Sequence, residues 1–411
     1  MEANKDRIIR DIEALACLTG TPGNGVTRFS YSHEDGLARD YLVSEMERLG
    51  LEVSSDGVGN LRARLVGQNP DLSVVLTGSH IDTVRNGGRF DGVVGVVGAL
   101  EALRVVKESG FVNRHPIELV VFSEEEGSNF GSTLAGSKAM VGKYSVDDIK
   151  KLKNAEGRSM YTMAKDAGYD PDTLHGGSIN KQNIKAMLEL HIEQSVVLDN
   201  AKKSIGVITG IAGMKAFRIV LRGTANHAGA TPMNMRNDPM AAAAEVVLLV
   251  EQLVKTIGCP TAVGTVGKIN CIPNVSNVIP GEVTFSVDVR DIDQEKLDAV
   301  GEALRHRVRE VALRRNVSYE VDLIGESKPL LLPEEIASML ERAAISRGCS
   351  FMRMTSGAVH DACMFGALTQ VGMIFVPSVA GRSHVPEEIT DYDDVKRGCD
   401  VLVDALVELS R

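Results

Sequence analysis

The 411-residue sequence has no surplus of basic charge: 45 lysines and arginines face 55 aspartates and glutamates, a formal net charge of −10 at pH 7. A nucleic-acid-binding chain would show a basic surplus or stripe, so that partner class is set aside. No apolar run approaches the roughly 20 residues a membrane-spanning helix needs, and no membrane partner is expected. Cysteine is sparse. Cys17, Cys259, Cys271, Cys349, Cys363 and Cys399 nowhere form a CxxC pair, which argues against a disulfide framework or a thiolate zinc site and fits a reducing, cytoplasmic setting. Gly92, Gly95 and Gly98 make no GxGxxG and fall inside a predicted helix, so a dinucleotide loop is a poor reading. No internal repeat or low-complexity segment stands out.

What is present is ordinary for a globular chain: 44% hydrophobic and 24% charged residues. At ~100–200 residues per domain, two or three domains are expected. The forty glycines cluster, which points to tight loops. The opening MEANKDRIIRDIEALACL reads as a charged amphipathic helix and not as a signal peptide.

Apolar spacing predicts helices over 5–18 and 36–49, strands at 61–66, 73–80 and 117–123, and a helix over 91–110 between the last two. Further strands are expected at 186–192 and 371–378, and a closing helix at 391–410. Strand, helix, strand at this spacing implies βαβ units on a buried, mostly parallel sheet. Residues 210–326 differ. KAFRIVLRG alternates apolar and polar, then come a helix (238–257), two strands (264–269, 282–290), a helix (294–315) and a strand (317–324). The expected fold class is therefore α/β: a mostly parallel-sheet domain formed by 1–209 and 327–411, with an inserted α+β, ferredoxin-like domain at 210–326.

Four strand ends carry side chains with chemistry, and in α/β sheets the carboxyl ends of strands host the site. In TGSHIDTVRNGGRFDGVVG, His80 follows an apolar strand, Asp82 lies two residues on and Asp91 opens the next helix. A metal constellation and a turn histidine with an Asp91 N-cap both remain open here. In FSEEEGSNFGS, Glu124, Glu125 and Glu126 end a strand, where a cation would relieve their repulsion. One of them could bind metal while its neighbour takes protons; a solvated acidic loop is the alternative. In LELHIEQ, His191 ends a strand before Glu193 and Gln194, and in GRSHVPEE, His384 follows the last strand. Each signal alone is weak, but four such ends on one inferred sheet make a shared metal site the better reading. Imidazole and carboxylate without thiolate suit Zn²⁺, Mn²⁺, Co²⁺ or Ni²⁺, and there are more donors than one tetrahedral ion uses. A two-ion site sharing a carboxylate would use them all.

At this point the sequence resembles the M20-type dinuclear metallohydrolases, in the branch of N-carbamoyl-L-amino-acid hydrolases, allantoate amidohydrolases and β-ureidopropionases. The resemblance covers nearly the whole chain, through GSHIDTVRNGGRFDGVVGVVGALE, EEEGSNFGSTLAGS, LELHIEQ, NHAGATPMNMRNDPMAAAAE, TVGKINCIPNVSNVIPGEVTFSVDVRD, SGAVHDA and MIFVPSVAGRSHVPEE. It implies two divalent ions on His80, Asp91, Glu126, His191 and His384, with Asp91 bridging. It further implies Glu125 as general base and Asp82 as the residue orienting His80. The inserted domain becomes a lid and dimer interface supplying His227, Asn277 and Arg290, with His227 also counted as catalytic. Gln194 becomes a substrate contact. The implied partners are a small ureido or amide substrate bearing a carboxylate, and a second copy in a homodimer. The implied reaction is hydrolysis of an N-carbamoyl-L-amino acid to release ammonia and CO₂. Allantoate hydrolysis, deacylation of an N-acyl amino acid or dipeptide cleavage on the same fold are the alternatives, with a metal-dependent binding protein as the reading from another class. Four positions depart from the pattern: Ser195 and Val196 stand where Gly-Pro is usual, Val359 replaces a glycine, and Arg382 stands where a small or apolar residue is more common.

Overall fold

A computed structural model describes residues 1–174 and 177–411. The chain divides into two compact units: residues 1–209, 332–354 and 360–411 form the first, and 210–331 with 355–359 form the second.

At the centre of the first unit, four strands lie parallel in the order Ile117–Phe122, Val74–His80, Ile184–Ile192, Gln370–Val376. Antiparallel strands flank them: Leu61–Leu65 and Glu52–Ser55 on one side, Ile205–Ile211 on the other. The mixed sheet thus keeps its parallel pairing where the strands are most deeply buried. Every residue of Val74–His80 and of Ile117–Phe122 is buried, as a parallel sheet covered on both faces requires. The helix Val93–Glu108 is buried along almost its whole length because its VVGVVGAL run is apolar on all sides. It packs on the sheet beside the closing helix Tyr392–Ser410 and the N-terminal helix Lys5–Ala16. The helix predicted from residue 36 begins at His33, where the Ser32 side chain accepts from the Asp35 amide.

The second unit is a one-faced antiparallel sheet in the order Ile269–Ile272, Glu282–Asp291, Gly213–Arg222, Ser318–Ser327. The helices Pro239–Ile257 and Gln294–Arg314 cover its apolar face. Glu282–Asp291 alternates buried and half-buried positions along its whole length, the signature of a sheet packed on one side. The strand predicted at 264–269 is two short ones, Val263–Thr265 and Ile269–Ile272, both paired with Glu282–Asp291. The predicted insertion, 210–326, lies inside this unit, which also takes in residues 327–331 and 355–359.

Candidate metal centre

The carboxyl ends of the parallel strands bring His80, Asp91, Glu125, Glu126, His191 and His384 together in the first unit. His80 is the last residue of its strand and His191 the last but one of its own. Both imidazoles are held from behind by main chain. His80 Nδ1 lies 2.9 Å from the Asp82 carbonyl oxygen, and His191 Nδ1 lies 2.9 Å from the Ile192 carbonyl oxygen. A carbonyl only accepts, so each Nδ1 carries the proton and each Nε2 presents a lone pair.

Asp91 stands between them. Its Oδ1 is 3.3 Å from His191 Nε2 and its Oδ2 is 2.8 Å from His384 Nε2, while Glu126 Oε1 is 3.5 Å from that same nitrogen. Two groups with ligand-sized spacing therefore share Asp91: His80–Asp91–His191 and Asp91–Glu126–His384. The N-cap reading of Asp91 does not hold, because the helix is capped by Gly92 with no side-chain bond. Gly92 has φ +66, and a Cβ there would lie 2.5 Å from His80 Cε1 and Nε2. Only glycine lets the chain pass the imidazole at that point.

The three consecutive glutamates separate by role. Glu124 turns away: its Oε1 accepts the amides of Asn129 (3.0 Å) and Phe130 (2.7 Å). Glu125 faces His80, with Oε2 3.8 Å from Nε2, and Glu126 faces His384. Asp82 meets His80 through its carbonyl, its carboxylate standing 3.8 Å off. The Asp82 carboxylate instead accepts the amides of Glu125 (3.2 Å) and Glu126 (3.1 Å), fixing the turn that carries both. Gln194 donates from Nε2 to both Asp91 oxygens at 3.1 Å.

Electrostatically the cluster is short of positive charge. Burial, with Asp91 next, pushes Glu126 up to about 9. Burial, reinforced by Glu126 and Asp361, pushes Glu125 well above the usual carboxylate range. Asp91 goes the other way: burial opposes its charge, but the hydrogen bond from His384 and the neighbouring His191 and His80 rings hold it below its ordinary value. The hydrogen bond to Asp91 lifts His384 to about 9. Buried carboxylates forced toward protonation, around imidazoles with aimed lone pairs, are what divalent cations would relieve. His191 Nε2 is buried with no hydrogen-bond partner among the described residues. The residues present therefore fit a pair of divalent ions, and their nitrogen and oxygen donors fit ions of the zinc, manganese, cobalt or nickel kind.

Four buried residues around the site carried no assigned role in the sequence reading. Glu388 binds the Asp91 loop. Glu189 accepts from Ser79 Oγ (2.7 Å) and the Ala362 amide (2.9 Å). The His360 ring stands edge-on to His191 with centroids 4.5 Å apart, and Asp361 follows it, pushed well up by burial and by Glu189. SGAVHDA held the only sequence signal for the last two.

His227, Asn277 and Arg290 belong to the second unit. His227 and Val278 pair across a two-stranded ladder, and the Asn277 carbonyl accepts from the Ala228 amide at 2.9 Å. His227 Nδ1 accepts the amides of Gly229 (3.0 Å) and Ala230 (3.1 Å), so the neutral ring carries its proton on Nε2. The Arg290 guanidinium donates to both Asp288 oxygens and to the Gly357 carbonyl.

Residues 76–408 match the model of peptidase family M20/M25/M40. The chain belongs to that family. It is 41% identical over 406 residues to an N-carbamoyl-L-amino acid amidohydrolase of Geobacillus stearothermophilus, covering 99% of this chain and 98% of that one. An allantoate amidohydrolase of Bacillus subtilis is 37% identical over 408 residues, covering 99% and 98%. A solved amidase of the hydantoinase/carbamoylase family from Burkholderia multivorans superposes with a TM-score of 0.94 at 32% identity, covering 100% of this chain and 98% of that one.

Proposed function

We propose that this family member is a two-metal amidohydrolase that cleaves the ureido C–N bond of an N-carbamoyl-L-amino acid. The observation that carries the proposal is the Asp91 carboxylate, shared by two ligand-sized groups beside the Glu125 carboxylate. Full-length identity to a relative named for that substrate class supports the choice of substrate.

His80, Asp91 and His191 would hold one ion, and Asp91, Glu126 and His384 the other. When bound, such ions polarise a carbonyl and lower the pKa of a water toward ~7. Glu125 takes the proton of the attacking water and passes it to the departing nitrogen. One C–N bond breaks as that nitrogen leaves protonated, and the carbamate left behind loses CO₂ by breaking the second, so the products are the amino acid, ammonia and CO₂. Asp82, by gripping the Glu125 and Glu126 amides, holds the proton acceptor and a metal ligand in one register. Gln194, already on Asp91, is a substrate contact at the mouth of the site.

His227 serves as the donor to the developing oxyanion: its amide-fixed tautomer leaves an exposed Nε2–H. Asn277 supports the same oxygen. Arg290 takes the substrate carboxylate. Three of its five N–H groups are engaged within the unit, on Asp288 and Gly357, leaving one on each Nη. The second unit acts as lid and dimer interface, and the assembly is a cytoplasmic homodimer using Zn²⁺, Mn²⁺, Co²⁺ or Ni²⁺. Among the described residues no helix is long and apolar enough to cross a membrane.

Ammonia release over a panel of N-carbamoyl-L-amino acids, 3-ureidopropionate and allantoate, with Mn²⁺ added, tests the proposal. Turnover of carbamoyl amino acids is expected. Turnover of allantoate alone would move the assignment to the reaction named in the Bacillus subtilis relative, and carboxylic-acid release without ammonia would make the chain a deacylase.

A further inference from the structure

Two loops have to meet for the second ion group to exist: 81–92, which brings Asp91, and 377–391, which brings His384 and holds one short 3-10 turn at Val379–Gly381. The second is the weaker partner. His384 is the most exposed of the proposed ligands, with 46% of its side chain open, and its backbone sits in the left-handed region at φ +61. That region is unfavourable for a non-glycine residue, so a neighbouring contact has to hold it.

One buried carboxylate touches both loops. Glu388 Oε1 accepts the amides of Phe90 (2.9 Å) and of Asp91 itself (3.0 Å), while its Oε2 accepts the Ser383 hydroxyl at 2.9 Å, one residue before His384. Glu388 is 2% exposed. Its own amide closes a turn onto the Val385 carbonyl, and the Val379 amide to the Ile389 carbonyl shuts the loop at its base. The other side is built to receive it: any Cβ at Gly88 would collide with the Glu388 carboxylate. Charge-assisted bonds from amides and a hydroxyl to a buried carboxylate are among the stronger ones available.

We propose that Glu388 is the positioning residue of the centre: it latches the loop of the shared ligand Asp91 to the loop of His384 and so sets the affinity of the Asp91–Glu126–His384 group for its ion. The inference rests on the two-ion reading above. Glu388 touches neither ion nor substrate and works through the two ligands it registers. The neighbouring Glu387 lies only 3.9 Å from Arg382 at the surface and has no part in the latch.

The test is calorimetric titration of the metal-free full-length chain with Mn²⁺, wild type against Glu388→Ala, Glu388→Gln, Ser383→Ala and His384→Ala. Partners outside the ligand sphere typically change metal affinity 10–100-fold. Wild type should take up two ions. Glu388→Ala should weaken one of them by about that factor, the same one His384→Ala removes, and leave the other unchanged. Glu388→Gln, which keeps one acceptor for the two amides, should recover most of the loss. Should Glu388→Ala fail to fold by circular dichroism, Ser383→Ala carries the comparison, with weakening of the same ion expected. Two wild-type-like binding constants in folded Glu388→Ala, or in Ser383→Ala when it must stand in, would overturn the latch alone. Wild type that takes up fewer than two ions overturns the two-ion reading and the latch with it.

Discussion

Replacing Glu125 with Gln keeps the shape of the side chain and removes its capacity to accept a proton. Proton transfer by a positioned group is worth about 10²–10⁴ in rate, so Glu125→Gln should lower kcat by that factor with metal content unchanged. Metal analysis beside ammonia-release kinetics reads both quantities, and near-wild-type kcat would remove Glu125 from the proposed role. Gly92→Ala probes the same pocket sterically. Its methyl would meet the His80 ring at 2.5 Å on a backbone at φ +66, so His80 must shift. The expected result is loss of the ion on the His80–Asp91–His191 group, read as reduced Mn²⁺ stoichiometry. At this scale the sequence identified the residue types that converge. It did not show that Asp82 grips Glu125 and Glu126 through its carboxylate while holding His80 through its carbonyl, because both tasks come from the same two-residue spacing. Nor did anything in VPEE separate the buried Glu388 from the exposed Glu387 beside it.

The elements that deliver the ligands depend on helix packing with charge inside it. Arg104 on Val93–Glu108 bonds Asp11 of Lys5–Ala16 at 2.5 Å and Glu45 of His33–Arg48 at 2.6 Å, all three buried. Removing one member of such a network strands the others, at about 3–5 kcal/mol. Arg104→Ala should therefore destabilise the first unit by about 3 kcal/mol in urea unfolding. Arg104→Ala with stability unchanged would show the network to be dispensable. The long buried elements were the legible ones, because apolar runs such as VVLTGSH and IELVVF stand out against their turns. The short helices Ala135–Met140, Val146–Lys151 and Met160–Asp166 were not. At six or seven residues each, they are too brief for a helical period to emerge. Ile205–Ile211 and Phe351–Ser356 were missed because their burial comes from partners distant in sequence.

At the scale of the molecule, five proposed ligands spread from residue 80 to residue 384 come from strand ends and loops that only the complete sheet brings together. Chelation should therefore act on the assembled centre. Treatment with EDTA is expected to abolish ammonia release, and Mn²⁺, Co²⁺, Ni²⁺ or Zn²⁺ to restore it; full turnover by the chelated chain would contradict the metal-dependent reading. The most direct measurement is an anomalous-difference map from crystals grown with Mn²⁺. Two peaks about 3.5–4 Å apart are expected, one on each side of the Asp91 carboxylate, the first against His80 and His191 and the second against Glu126 and His384. A single peak, or two peaks that do not share Asp91, would contradict the two-ion centre.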